Sequence, residues 1–354
     1  MLRVLLDVAL QRDLKALLQS VGRGGAVFNL GASETVGSIA GAGNITLGSY
    51  TLTAGGDNSS TTASGVISGT GALAKTGTGV LTLSGANTYN GTTTVSAGTL
   101  KAGSINALSS NSTFTVASGA TLDLVGFNST ILNLSAGTGT ITDSSATGSG
   151  AILKISTRLS AAPTNLFTGS LGLNIVGDNI LGNANSTYSG GTIYGANATA
   201  SRWIGSGTIG TTTAGVVTSG ILGTGTITIG LAATDKAQFY LSGATTINNA
   251  IVVNTALGDG SSLGAFRLEP GSLTLNGAIN ANLADVMFQA QNGGGRIATV
   301  NGAISGNSGL VVLTQGSGVL NVTLNATANA NTYAGNTTIN GTNSTLTLGK
   351  SDQI

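Results

Sequence analysis

From Phe28 onward, apolar residues come in pairs two positions apart: Ile45 and Leu47, Leu81 and Leu83, Phe114 and Val116, Leu122 and Leu124, Ile227 and Ile229, Leu273 and Leu275, Leu346 and Leu348. The residue between them is usually Thr. Successive side chains of a strand point to opposite faces, so each pair predicts a short strand with one face inward. Between the pairs stand Gly-Thr-Gly, Gly-Ser-Gly, Ser-Gly-Ala and Asn-Gly clusters, where glycine admits the positive φ that tight corners need. Strands are short and corners frequent.

The first 25 residues follow another period. Leu2, Leu6, Leu10, Leu14, Leu17, Leu18 and Val21 recur at spacings of three and four, which predicts an amphipathic helix over residues 2–20, stopped by Gly22, Gly24 and Gly25. Asp7, Arg12, Asp13 and Lys15 interrupt the apolar run a signal peptide would need, so that reading is rejected. Residues 1–25 are read as an N-terminal helix and Gly-rich link, either capping the end of a solenoid or belonging to a wrongly assigned start. Residues 26–354 are read as a single repeat domain.

Two all-β architectures fit short strands with frequent corners: a stack of sandwiches or one parallel β-helix. Sandwiches favour an aromatic-rich core, and aromatics are only 4% of this chain. In a β-helix each coil lies about 4.8 Å above the last, so small Ala, Val, Ile and Leu side chains stack without large rings. With roughly 20 to 25 residues per coil, on the order of 14 coils are expected. The β-helix is preferred.

An internal repeat supports a solenoid. The run ANTYNGTTTV at 86–95 returns as NSTYSGGTI at 185–193 and as ANTYAGNTTI at 330–339, and SGVISGTGALAKTGTGVLTLSG upstream of the first copy agrees with NGAISGNSGLVVLTQGSGVLNVTL upstream of the last. Tyr89, Tyr188 and Tyr333 stand several coils apart, so the recurrence marks a higher-order unit.

Gly69 to Leu100 resembles the autotransporter-associated β-strand repeat, also called the passenger-associated transport repeat, whose pattern looks like GxGxLxKxGxGxLxLxGxNTYxGxTxVxxGxL. Lys75, Leu81, Leu83, Asn87, Tyr89, Gly91 and Leu100 fall on its defined positions. The last copy lacks the Lys, with Leu313 near that position, and the middle copy keeps little beyond STYSGGT. The resemblance implies a right-handed β-helical passenger on or released from the surface of a Gram-negative-type bacterium. It also implies an outer-membrane β-barrel translocator outside this chain. The end, LTLGKSDQI, falls inside a repeat, so the chain is expected to be a passenger fragment or a split gene.

Composition narrows the chemistry. The chain has no His and no Cys, which excludes metal sites built from those ligands, Cys nucleophiles, His bases and disulfides. With 13 basic and 12 acidic residues the net charge is +1, so no strong field exists to attract nucleic acid or an anionic partner. No run of about 18 apolar residues supports a transmembrane helix. GSGTIG at 205–210 matches a dinucleotide fingerprint but is followed by TTTAGVV rather than a helix. No cofactor, no metal and no catalytic residue is expected.

Asp123, Asp143, Asp178, Asp235, Asp259, Glu269 and Asp285 are the acids that adjacent coils could pair for glycan hydrolysis, and they read instead as solvated turn residues. AGGDNSS at 54–60 and LGDGSS at 257–262 resemble calcium turns but do not repeat. Tyr50, Tyr89, Tyr188, Tyr333 and Trp203 would form carbohydrate-facing platforms if exposed, but the repeated tyrosines Tyr89, Tyr188 and Tyr333 travel with the turn residues of the repeat and read as wedges over a bend. Trp203, beside Arg202, is the weak candidate for ligand binding. The expected function is a non-enzymatic surface scaffold or stalk for adhesion or aggregation, binding host-cell or matrix glycans or itself. The alternative is a β-helical carbohydrate-active enzyme, a lyase or glycoside hydrolase.

Overall fold

The computed structural model describes residues 27–145, 150–157, 164–176, 183, 185–195, 201–213, 216–255, 264–269, 271–291, 293–325 and 331–349. The helix expected over 2–20 lies outside them, as does the calcium-like turn at 257–262. The described chain is all-β, a parallel solenoid of about 11 turns, with no helix. It divides into two compact units, residues 1–156 with 163–171, and residues 157–162 with 172–354.

In the first unit one stack runs Glu34–Val36, Thr51–Ala54, Ala72–Lys75, Thr93–Val95, Thr113–Val116 and Asn133–Leu134. A second runs Thr61–Ala63, Val80–Leu83, Thr99–Ala102, Thr121–Asp123, Thr140–Asp143 and Leu166–Gly169. All these neighbours are parallel, and like positions face each other: Leu81 pairs with Leu100, Leu100 with Leu122, Leu122 with Ile141 and Ile141 with Phe167. Period two thus becomes a column of buried apolar side chains, each seated on the neighbouring coil.

The second unit has a stack of Gly172–Ile175, Thr192–Tyr194, Ile227–Ile229, Ile251–Val253, Ile279–Ala281 and Ile304–Gly306. The long strand Ala237–Ile247 pairs in parallel with the strand Ser201–Ile209, and from it two further stacks continue. Its first half pairs with Phe266–Leu268, which continues to Val286–Ala290, Leu310–Thr314 and Thr337–Asn340. Its second half pairs with Gly271–Leu275, which continues to Gly295–Val300, Val319–Leu324 and Ser344–Leu348. An antiparallel hairpin, Thr211–Thr213 with Val216–Ser219, is inserted between Thr192 and its register partner Ile227.

Two expectations need correction. The turns are fewer than 14 because coils of the second unit are longer: Ile251 pairs with Ile279, and the hairpin stretches the step from Thr192 to Ile227. The core does admit large rings. Tyr194, Phe239, Phe266 and Phe288 are buried in one series, with centroids 5.8, 6.0 and 5.2 Å apart. Aromatics are scarce in the chain but concentrated here, where in-register strands set Phe239, Phe266 and Phe288 on one another.

The corners explain the glycine content in a second way. A Cβ on Gly65 would lie 1.9 Å from the Gly43 carbonyl oxygen, and one on Gly85 would lie 2.1 Å from that of Gly65. The backbones of successive coils touch at this corner, and only glycine leaves room.

Candidate functional site

The most specific sequence motif is the NTY corner, and the structure turns its polar groups inward. Asn87 accepts from the Ile67 amide at 2.7 Å and donates to the Ala107 carbonyl at 2.6 Å, so one amide ties the coils below and above its own. Tyr89 is fully buried, its hydroxyl 2.7 Å from that of Thr93. Thr93 lies 2.8 Å from the Ser112 hydroxyl, which donates to the Gly91 carbonyl at 2.7 Å. A buried hydroxyl with a partner avoids the cost of an unmade hydrogen bond. Burial raises the Tyr89 and Tyr188 phenols above their ordinary range, and the threonine bond only partly offsets it.

The last copy repeats this geometry. Asn331 accepts from the Ile304 amide at 2.7 Å, the Thr332 amide donates to Ile304 at 2.8 Å, and the Tyr333 and Thr337 hydroxyls are 2.6 Å apart. The middle copy keeps the clasp, Tyr188 to Thr192 at 2.6 Å, but has buried Ser186 where the others have Asn. Tyr89 and Tyr188 are therefore core wedges, while Tyr333 is half-buried and Tyr50 exposed.

Lys75 is buried, and its ammonium donates to the carbonyls of Thr76, Gly77 and Ala97 at 2.6, 2.9 and 3.2 Å. Desolvation pushes its pKa below the usual lysine value. In the last copy the corresponding strand Leu310–Thr314 ends in Thr314. The second unit buries a cation elsewhere: Arg296 donates to the carbonyls of Leu268, Gly293 and Gly294 and lies 3.5 Å from Glu269. Glu269 also pairs with Arg267 at 3.1 Å, and Arg267 lies over the Tyr240 ring, 4.8 Å from its centroid.

The acids are not all solvated turn residues. Asp123, Asp143 and Asp235 are 7%, 2% and 5% exposed. Asp123 and Asp143 end neighbouring strands, with Asp123 in register beside Thr142. Asp143 accepts from the amides of Gly126, Ser145 and Ala151 at 2.8, 3.0 and 2.7 Å and from the hydroxyls of Ser145 and Ser170 at 3.0 and 2.9 Å. Burial alone would raise its pKa, but these bonds, Ala151 foremost, hold it below the usual aspartate value. Asp123 accepts from the amides of Val125 and Ser144 and the Ser144 hydroxyl at 3.2, 3.1 and 2.6 Å. A carboxylate so occupied closes a corner and is poorly suited to proton transfer. Asp235 accepts from the Leu231 and Ala232 amides at 2.7 and 3.0 Å, and Asp285 from Gly309 at 2.6 Å. Asp178 and Asp259 lie outside the described residues. Among the described residues no group of three or more acids is placed to hold a metal.

Trp203 lies in the strand Ser201–Ile209, in register with Phe239, and its side chain is outside the description. That strand also carries most of GSGTIG, so the motif is not a turn entering a helix.

Outward positions of the second unit carry a pattern that the apolar pairs concealed. Thr246, Thr274, Thr299, Thr323 and Thr347 are register partners on five successive strands. Two residues on, Asn276 donates to Asn248 at 2.6 Å, Asn301 to Asn276 at 2.7 Å and Asn325 to Asn301 at 3.3 Å. Two residues before the threonines stand Ser272, Ile297, Asn321 and Thr345, all exposed. The signal in the sequence is the recurrent Thr-apolar-Asn triplet ending at Asn248, Asn276, Asn301 and Asn325.

Comparison with known proteins places these corners. Residues 73–102 match the model of the passenger-associated-transport repeat. The chain is 31% identical over 295 residues to the adhesin BmaC autotransporter of Brucella suis biovar 1 (strain 1330), an alignment covering 80% of this chain and 7% of that protein. The chain thus spans a small part of the length of the curated relative it matches. No solved structure matches it.

Proposed function

We propose that this chain, an autotransporter passenger segment with a passenger-associated-transport repeat, is a non-enzymatic scaffold that presents adhesive surface. Its place is the cell surface or surroundings of a Gram-negative bacterium. The observation that carries the reading is the destination of the motif's polar groups: Lys75, Asn87 and Thr93 each reach a neighbouring coil, and Tyr89 clasps Thr93 within its own corner. The repeat is architecture, which leaves contact to the outward rows. Right-handed winding is part of the proposal, since a strand, crossover and parallel strand favour that hand. A β-barrel translocator outside this chain is the expected secretion partner.

The carbohydrate-active alternative is disfavoured by the occupied carboxylates of Asp123 and Asp143. Beads coated with the full chain are expected to adhere to immobilised host matrix or cultured cells and to release no reducing ends from neutral or acidic polysaccharides. Failure to adhere overturns the scaffold reading, and released reducing ends overturn its non-enzymatic part.

A further inference from the structure

We infer that the outward face shared by the first half of Ala237–Ile247 and the strands Phe266–Leu268, Val286–Ala290 and Leu310–Thr314 is a binding site for a neutral glycan, with the Gln289 carboxamide as its contact to a sugar hydroxyl. The inference rests on the surface-scaffold reading and names what that surface holds.

Two columns of planar polar side chains make the site. Tyr240, Arg267 and Gln289 are register partners on three successive strands. Glu269, Gln291 and Gln315 each stand one residue past the register partners Leu268, Ala290 and Thr314. All four glutamines of the described residues lie on this stack or just past its strands, whereas the outward columns beside it are built of Thr and Asn.

The charges in the site are already paired. Glu269 meets Arg267 at 3.1 Å and Arg296 at 3.5 Å, and Arg267 lies over the Tyr240 ring. A charged ligand would have to displace one of these partners, so the groups open to a ligand are the neutral amides.

The amides select a hydroxyl. Gln289 is fully buried, and its Nε2 donates to Gln315 Oε1 at 2.9 Å, which also accepts from Gln291 Nε2 at 3.1 Å. Gln289 Oε1 has no partner, although buried polar atoms of folded proteins are nearly always paired. Turning the amide over would only exchange an unmet acceptor for an unmet donor. A hydroxyl both donates and accepts, so it answers either. Asn165 and Asn249 also carry unmet oxygens, but each of their amides donates to two backbone carbonyls. The Gln289 amide is held only by the exposed side chain of Gln315, which can swing into solvent and uncover it. One sugar hydroxyl then meets Gln289, and its neighbour on the ring meets the released amides of Gln291 and Gln315.

Two columns staggered over four strands cover about 14 Å by 7 Å. So small a site holds a glycan weakly by itself, and many chains displayed together hold it firmly.

The test uses beads coated with the full chain and fluorescent oligosaccharides of glucose, galactose and mannose, with an oligogalacturonate as the acidic comparator. Matrix adhesion and thermal stability are measured on the same preparations. Wild-type beads are expected to retain at least one neutral oligosaccharide and no oligogalacturonate. Gln289→Leu nearly keeps the buried volume and removes the unmet oxygen, so it should bind about tenfold more weakly while melting no lower than wild type. A lower melt with unchanged binding would make Gln289 a structural residue and overturn its role. Gln315→Ala, at an exposed position, should weaken binding severalfold, and it carries the test if Gln289→Leu fails to fold. Thr62→Ala, exposed in the first unit, should bind like wild type. The inference is overturned if no neutral oligosaccharide is retained, if the oligogalacturonate is retained instead, or if the folded glutamine variants bind like wild type. Beads that adhere to matrix but retain no neutral oligosaccharide sink this inference alone and leave the scaffold reading standing.

Discussion

The two compact units wind by the same rule and both stack apolar columns, but they differ in what they add to them. The first adds single residues at its corners: Asn87 to Ile67 and Ala107, Lys75 to Ala97, Asp143 to Gly126 and Ala151. The second has such residues too, Arg296 to Leu268 and Asn331 to Ile304, but adds columns of one residue type: Phe239, Phe266 and Phe288 inside, Thr246 to Thr347 and the asparagine ladder outside. A reaching side chain ties two or three coils at one corner. A column adds a similar contact at every coil, as nearest-neighbour stacking in a solenoid does. Sequence resemblance is therefore concentrated where individual residues have individual tasks.

The comparison can be broken most forcefully at Leu83, which is fully buried with Ala63 and Ala102 as register partners. Leu83→Asp should cost more than about 4 kcal/mol and leave the first unit unfolded, read as lost amide-exchange protection there. Retained protection would contradict the inward column. Phe266→Ala removes the middle of the aromatic stack and should cost about 3–5 kcal/mol, with protection lost first in Phe266–Leu268 and Val286–Ala290. Equal loss across the first unit would show that the column is not local to its stack.

Smaller changes sharpen the contrast. Tyr89→Phe should cost about 1–2 kcal/mol, because Thr93 loses a buried partner, and Tyr333→Phe at the half-buried copy should cost less in the same chemical denaturation. Asp143→Asn tests the reaching carboxylate through pH. Its folded pKa is depressed, so its stabilisation is complete above the unfolded value near 4 and is lost as pH falls through the lower folded value. The variant should be less stable at pH 7 and show a shallower loss of stability in acid, and an unchanged acid limb would remove the carboxylate from this role. Asn276→Ala interrupts the ladder at one exposed rung and should cost only about 0.5–1.5 kcal/mol in a thermal melt.

The strands were legible because the inward positions carry a period that owes nothing to the rest of the fold. Leu81 and Leu83 announce a strand whatever lies beneath. Leu346 and Leu348 show the limit: they have the same pattern, yet Leu348 is 43% exposed on the outermost described strand. The candidate site was less legible. Tyr89 could be read as a wedge from its company of turn residues, but its clasp with Thr93 requires a geometry that spacing does not give. Asp143 looked like a turn acid, since its donors Gly126, Ala151 and Ser170 come from elsewhere in the chain.

By itself, then, the sequence determined a parallel β-solenoid, its repeat, and a chemistry without histidine or cysteine, because alternation, turn residues and composition are local properties. Only the tertiary structure decided the register. Register made Gly65 and Gly85 points where backbones touch, placed Asn87 between two coils, brought three phenylalanine rings into contact and aligned five threonines. Each depends on which residue lies about 4.8 Å above another, and loops of unequal length set that alignment between residues far apart in sequence.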